Sequence, residues 1–159
     1  MRRSGPLRRG KPGTALKRAA VLPRASRKRR PARDTGPSPA VRKLIREREE
    51  MQCAACGVSV RGLPHSIQHR RARGMGGTAD PAVNLPSNLV LLCGSAVTGC
   101  HGLAESRDPD MHGRGFWLRS WQDPAVVPVM LASQYRSGVA VWLTDDGEYS
   151  FAPPREAAA

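Results

Sequence analysis

A few polar side chains stand at spacings that suit hydrolytic chemistry. His69 closes the stretch HSIQH, Asn88 opens the run NLVLLC, and His101 begins CHGLAESRD with Glu105 four residues on. Residues four apart share a helix face, so an imidazole and a carboxylate placed this way can hold one divalent cation. A neutral His69 can take a proton from water. A cation held from the helix can stabilise charge on a phosphate and its leaving oxygen. The stretch QHRRARGMGG adds Arg70, Arg71 and Arg73, a residue type that grips phosphates, and glycines that let the backbone turn sharply. Asn84 and Asn88 both suit a turn; Asn88 is preferred for the site because it abuts the apolar run. His112 has no such company and reads as a loop residue.

The four cysteines form two pairs, Cys53-x2-Cys56 and Cys93-x6-Cys100, with 36 residues between the pairs. The first spacing is a knuckle that turns two sulfurs inward, and four thiolates in tetrahedral array make a closed structural zinc site. The second spacing is wider than usual for such a site. Two disulfides or four ordinary buried cysteines are the alternatives. A reducing compartment and a small apolar core favour zinc, which would then contribute folding free energy that the core lacks.

The surrounding pattern supplies elements to position these groups. SPAVRKLIREREEMQ predicts a helix, with Ser38 as N-cap, Pro39 in the first turn and Val41, Leu44, Ile45 and Met51 as its apolar stripe. HSIQH predicts a strand, RGMGGTADPAVNLPS a long loop, NLVLLC a buried strand, and CHGLAESRD a short helix. Further on, VVPVML and VAVWL predict strands, with a turn at Asp146–Gly147. Trp117, Trp121 and Trp142 are expected to fill what core exists; a stacking platform for bases is the lesser alternative. No internal repeat is present.

Composition limits the rest. Aromatic residues are 4% of 159, beside 16 glycines and 14 prolines, so a large core is excluded. Residues 1–33 hold thirteen of the 26 Lys/Arg and no acid; the remainder holds the other thirteen and all thirteen Asp/Glu. The whole net charge of +13 therefore resides in the first fifth of the chain. Such a block repels itself and cannot bury apolar surface, which predicts a disordered tail with a polyanion such as DNA as partner. RKRRP also fits a localisation signal, and an Arg-rich, acid-free start fits a transit peptide, although Pro6, Pro12, Gly13 and Pro23 interrupt any amphipathic helix. No apolar run approaches about 18 residues and none has signal-peptide length, so an intracellular protein with no membrane partner is expected.

Taken together, these residues resemble the HNH endonucleases, whose ββα-metal unit is also called the His-Me finger, and above all the small zinc-bearing members found in tailed bacteriophages. The resemblance spans roughly residues 38–107. It rests on the CxxC knuckle, the histidine followed by Arg-Arg and Gly-x-Gly-Gly, the strand SNLVLLC and the helix start CHG. Downstream, DPAVVPV and LTDDG are similar to the ends of such phage proteins. The resemblance implies a small α+β fold in which a ββα-metal core at 38–110 is stapled by a four-cysteine zinc site. A disordered basic tail at 1–37 would precede it, and a short β extension with a frayed end at 111–159 would follow. It implies a metal-dependent DNA endonuclease acting in phage DNA processing or packaging, beside the terminase and in the host cytoplasm.

By position, the resemblance makes His69 the general base and Asn88 the residue that orients the base or the metal site. His101 binds the catalytic cation (Mg²⁺, Mn²⁺, Ni²⁺ or Zn²⁺), with Gln68 and Glu105 as further ligands. Cys53, Cys56, Cys93 and Cys100 hold structural zinc, and Arg70, Arg71 and Arg73 contact DNA. One position departs from the family: the residue before the base is usually Asp or His, and here it is Gln68. A glutamine carbonyl can ligate a hard cation but brings no charge. That departure keeps a second reading open, a noncatalytic zinc-ribbon DNA-binding protein with a weakened metal site.

Overall fold

The computed structural model describes residues 35–74, 80–132 and 138–154. The basic tail expected at 1–37 lies outside them except for its last three residues, as do the GMGG glycines Gly76 and Gly77 and the frayed end at 155–159. The described residues make a small α+β fold. Thr35 and Pro37 already belong to it, because their carbonyls accept from Asn84 and from Arg42.

Helix α1 spans Pro39–Arg48 and begins as expected, with Ser38 Oγ accepting from the Val41 amide at 3.2 Å. Ile45 is its buried residue, and Val41 and Met51 pack against the core beside it. The chain then reverses through Glu50 and Met51, both at positive φ, into the cysteine knuckle. The amide of Ala54 donates to the Leu91 carbonyl at 2.9 Å and stitches that knuckle to the centre of the fold.

Strands β1 (His65–His69) and β2 (Leu89–Cys93) pair antiparallel, with His65 opposite Cys93 and His69 opposite Leu89. Leu89, Val90, Leu91 and Leu92 are all fully buried, which explains why this strand reads as a continuous apolar run rather than an alternating one. The long loop between the strands ends in two short 3-10 turns, Pro81–Asn84 and Pro86–Asn88. After β2, Gly94 (φ 89°) and Gly99 (φ 63°) bracket a turn in which a Cβ on Gly94 would lie 2.1 Å from the Thr98 carbonyl oxygen. Only glycine fits there, and the tight reversal delivers α2 (Gly99–Glu105) directly onto both strands.

A short helix that the sequence pattern did not suggest, α3 (Pro109–Gly113), follows with Asp108 as its N-cap. Strands β3 (Val129–Leu131), β4 (Val139–Leu143) and β5 (Tyr149–Ser150) form an antiparallel meander in that order. They are not an appendage. Met111, Phe116, Val129, Leu131, Val141 and Leu143 share one core with Ile45 and the leucines of β2, so the boundary expected at 110/111 separates nothing. Tyr149 donates to the buried carboxylate of Glu49, itself paired with Arg48 at 2.8 Å, and this ties β5 back to α1. The tryptophans do not fill the core as expected. Phe116 does, while Trp117 and Trp142 are half-buried with their indole N–H on the Asp108 and Val126 carbonyls, and Trp121 is 73% exposed.

Candidate functional site

Two clusters hold the chemistry-bearing residues. In the first, the knuckle, the end of β2 and the start of α2 bring the thiol sulfurs of Cys53, Cys56, Cys93 and Cys100 within 4.8 Å of one another. None of the four is in a disulfide, so the group can hold a metal ion. Burial acts unevenly on the thiols. Burial pushes the Cys53 thiol up to about 11. Burial and the neighbouring sulfurs push Cys100 higher still. At Cys93 burial also raises the pKa, but hydrogen bonds from the Cys100 backbone and the other thiols outweigh it and leave the value lowered. A cation bound by the four would favour their thiolate forms. Among the described residues this is the one group of three or more His, Cys, Asp or Glu side chains so gathered.

The second cluster lines a groove of about 630 Å³ between the hairpin, α2 and the segment after α3. Gln68, His69, Glu105, Arg107, Arg119 and Trp121 are among the residues that line it. His69 stands at the end of β1, half-buried, with Nε2 3.0 Å from Asn84 Oδ1. The Asn84 amide nitrogen is committed to the Thr35 carbonyl at 3.0 Å, so its oxygen must face the imidazole and accept from an Nε2–H. That places the lone pair of a neutral His69 on Nδ1. Burial pushes the His69 pKa below the ordinary 6.5, and Arg73 adds to this, while the Asn84 hydrogen bond and Glu105 oppose it. The ring is therefore neutral at pH 7, as a proton acceptor must be.

Asn88 is elsewhere than expected in its contacts. It is fully buried, and its side chain clamps the loop by accepting from the Arg71 amide (2.6 Å) and donating to the Arg71 and Val83 carbonyls (3.0 and 2.8 Å). It therefore secures the loop that carries Asn84, and Asn84 is the ring's partner. Both asparagines were visible in the sequence, but only the fold of the 3-10 turns decides which one reaches the imidazole.

His101 and Glu105 meet on α2 as the four-residue spacing predicts, Nε2 to Oε1 3.8 Å. Gln68 donates its amide nitrogen to the His69 carbonyl at 3.1 Å, which turns its amide oxygen the other way. Glu105 is thus paired with His101 and shares the groove with Gln68, while His101 is not among the groove's lining residues; imidazole, carboxylate and amide oxygen are donor types that divalent cations accept. His101 Nδ1 is sealed from solvent with no hydrogen-bond partner. Ligating imidazoles ordinarily give that second N–H to an acceptor.

The arginines separate into different roles. Arg70 was expected to contact DNA, and the structure corrects this. It is 1% exposed, and all five of its guanidinium N–H groups donate to the carbonyls of Ser87, Gly115, Pro124, Val127 and Pro128, at 2.6 to 3.3 Å. Burial, and Arg48 beyond it, push its pKa down to about 9, which still leaves it charged at pH 7. With every donor used it has nothing to offer a phosphate. Arg71 pairs with Asp80 at 3.3 Å near the surface, and Arg73 is half-buried close enough to act on His69. No helix among the described residues is long and apolar enough to cross a membrane.

Comparison of the chain with protein-family models, with curated proteins and with solved structures found no match.

Proposed function

We propose that this protein is a metal-dependent DNA endonuclease of the HNH type, stapled by a structural zinc ion on Cys53, Cys56, Cys93 and Cys100. The observation that carries the reading is the meeting of a neutral, hydrogen-bonded His69 with Gln68 and Glu105 in one groove, on a hairpin-plus-helix frame. His69, held through Nε2 by Asn84, accepts the proton of the attacking water at Nδ1. His101, Glu105 and Gln68 would hold the catalytic cation, which when bound supplies positive charge to the phosphate and its leaving oxygen. Arg71 and Arg73 approach neighbouring phosphates from the loop after His69, and the basic N-terminal residues add sequence-independent attraction. For the cysteines, ligands about 2.3 Å from a tetrahedral zinc stand about 3.8 Å apart, and Cys56 and Cys93 are 3.8 Å apart. The sequence resemblance extends the proposal to phage DNA processing or packaging beside a terminase.

A second reading, a noncatalytic zinc-ribbon DNA-binding protein, is favoured by two observations: the neutral Gln68 and the orphaned Nδ1 of His101. Both weaken a cation site. Plasmid cleavage by the purified chain with added Mg²⁺, Mn²⁺ or Ni²⁺ decides between them. We expect metal-dependent cutting that falls at least about a hundredfold in His69→Ala. No cutting in any metal, with plasmid still retarded on a gel, would sink the enzyme reading and leave the binding one.

A further inference from the structure

The groove has a feature that hydrolysis alone does not require. Trp121 is 73% exposed, an unusual state for so large an apolar side chain in a protein with so few aromatics. The Arg119 guanidinium lies over its ring, 5.2 Å from the centroid. One indole face is thus covered by a cation, which leaves the opposite face to solvent. Arg119 and Arg107 are exposed and make no ion pair among the described residues. Arg107 is also held at φ 61° just past the end of α2, a backbone conformation that costs a non-glycine residue roughly 1–2 kcal/mol. Its amide is anchored to the Ala104 carbonyl at 3.1 Å. The fold therefore keeps an exposed aromatic ring, with Arg119 against it and Arg107 in the same groove, the groove that His69 lines.

We infer that Trp121 is a stacking platform for an unpaired nucleobase, with Arg107 and Arg119 on the flanking phosphates. The groove's preferred substrate is then DNA with at least one unstacked nucleotide beside the bond to be cut, a bulge or single strand rather than uniform duplex. Base-on-indole stacking needs a free π-face and adjoining positive charge, and both are present. Intact duplex offers no free base face, so it gains nothing from Trp121. The placement of that nucleotide beside the cut rests on the groove being the nuclease site; the stacking on Trp121 does not.

The test uses the full chain at about 0.2 M salt, where nonspecific phosphate attraction is weakened, with no added divalent metal so that binding is read without cutting. Fluorescein-labelled duplexes of one sequence, fully paired or carrying a central three-thymine bulge, are titrated with wild type, Trp121→Ala, Trp121→Phe and His69→Ala. We expect the bulged duplex to bind more tightly, and Trp121→Ala to lose roughly five- to a hundredfold on it while changing the paired duplex less than twofold. Trp121→Phe should keep most of the preference, and His69→Ala should keep all of it. Equal losses on both duplexes, or none on either, would overturn the stacking role. Because Trp121 is exposed, misfolding does not confound its variants. The two readings fail separately. Selective binding without any cutting removes the nuclease alone. Cutting whose substrate preference survives Trp121→Ala removes the platform alone.

Discussion

Asn84 joins two parts of the chain that are far apart in sequence: its side-chain oxygen takes a hydrogen bond from His69 Nε2, and its nitrogen gives one to the Thr35 carbonyl. The amide thus fixes the tautomer of the candidate base and ties it to the residue where the described fold begins. Asn84→Ala should lower plasmid cleavage about ten- to a hundredfold with little change in thermal stability, since the residue is only half-buried. Asn84→Asp keeps an acceptor toward the ring and should retain more activity than Asn84→Ala. Equal activity in the two variants would show that the orientation of the ring does not matter.

Asn88 should behave in the opposite way. Three hydrogen bonds hang on its buried amide. Asn88→Ala strands one amide and two carbonyls and should cost about 2–3 kcal/mol in urea unfolding, with whatever activity survives falling in step with the folded fraction. A full loss of cleavage in a variant as stable as wild type would instead place Asn88 in the chemistry.

Arg70 is a stability determinant. Lysine has three donors on a flexible stem where arginine has five in a fixed fork, so even Arg70→Lys leaves carbonyls without partners. We expect a loss of roughly 3 kcal/mol or more, read as a fall in Tm on the order of 10 °C. A variant with wild-type Tm and weaker DNA binding would restore the phosphate-contact role that the buried geometry argues against.

The cysteine cluster should carry one equivalent of zinc per chain, measurable by elemental analysis. Cys53→Ser, at the most buried position, should lose the metal and the cooperative thermal transition together, since metal binding and folding are one free energy in small domains of this kind. Retention of a sharp transition in a metal-free sample would mean that the apolar core suffices.

Gln68→Asp adds a carboxylate at the position where a neutral oxygen stands. If the groove binds a cation through that position, the variant should cut faster at limiting metal concentration, by about tenfold or more. Unchanged metal dependence would remove Gln68 from the ligand set.

Much of the frame was legible because its signals are local. The Ser38 cap, the unbroken apolar run of β2 and the four-residue spacing of His101 and Glu105 each follow from short-range rules, and the structure contains all three. What the pattern missed depends on distant chain. An arginine beside a histidine reads as a phosphate ligand until five carbonyls, one from residue 87 and four from residues 115 to 128, close around it. The choice between Asn84 and Asn88 hinges on how two 3-10 turns fold. The tryptophans looked like core because of their size, yet Phe116 occupies the centre and Trp121 remains outside.

The Arg70 clamp also bears on modularity. The residue next to the candidate base is the one that gathers the segment from Gly115 to Pro128, so that segment cannot be exchanged like a cassette. A hybrid joining residues 35–110 to another protein's C-terminal part would leave a buried cation with only the Ser87 carbonyl to receive it, beside the groove. Grafting this hairpin and helix onto a new scaffold must bring the receiving carbonyls along with them.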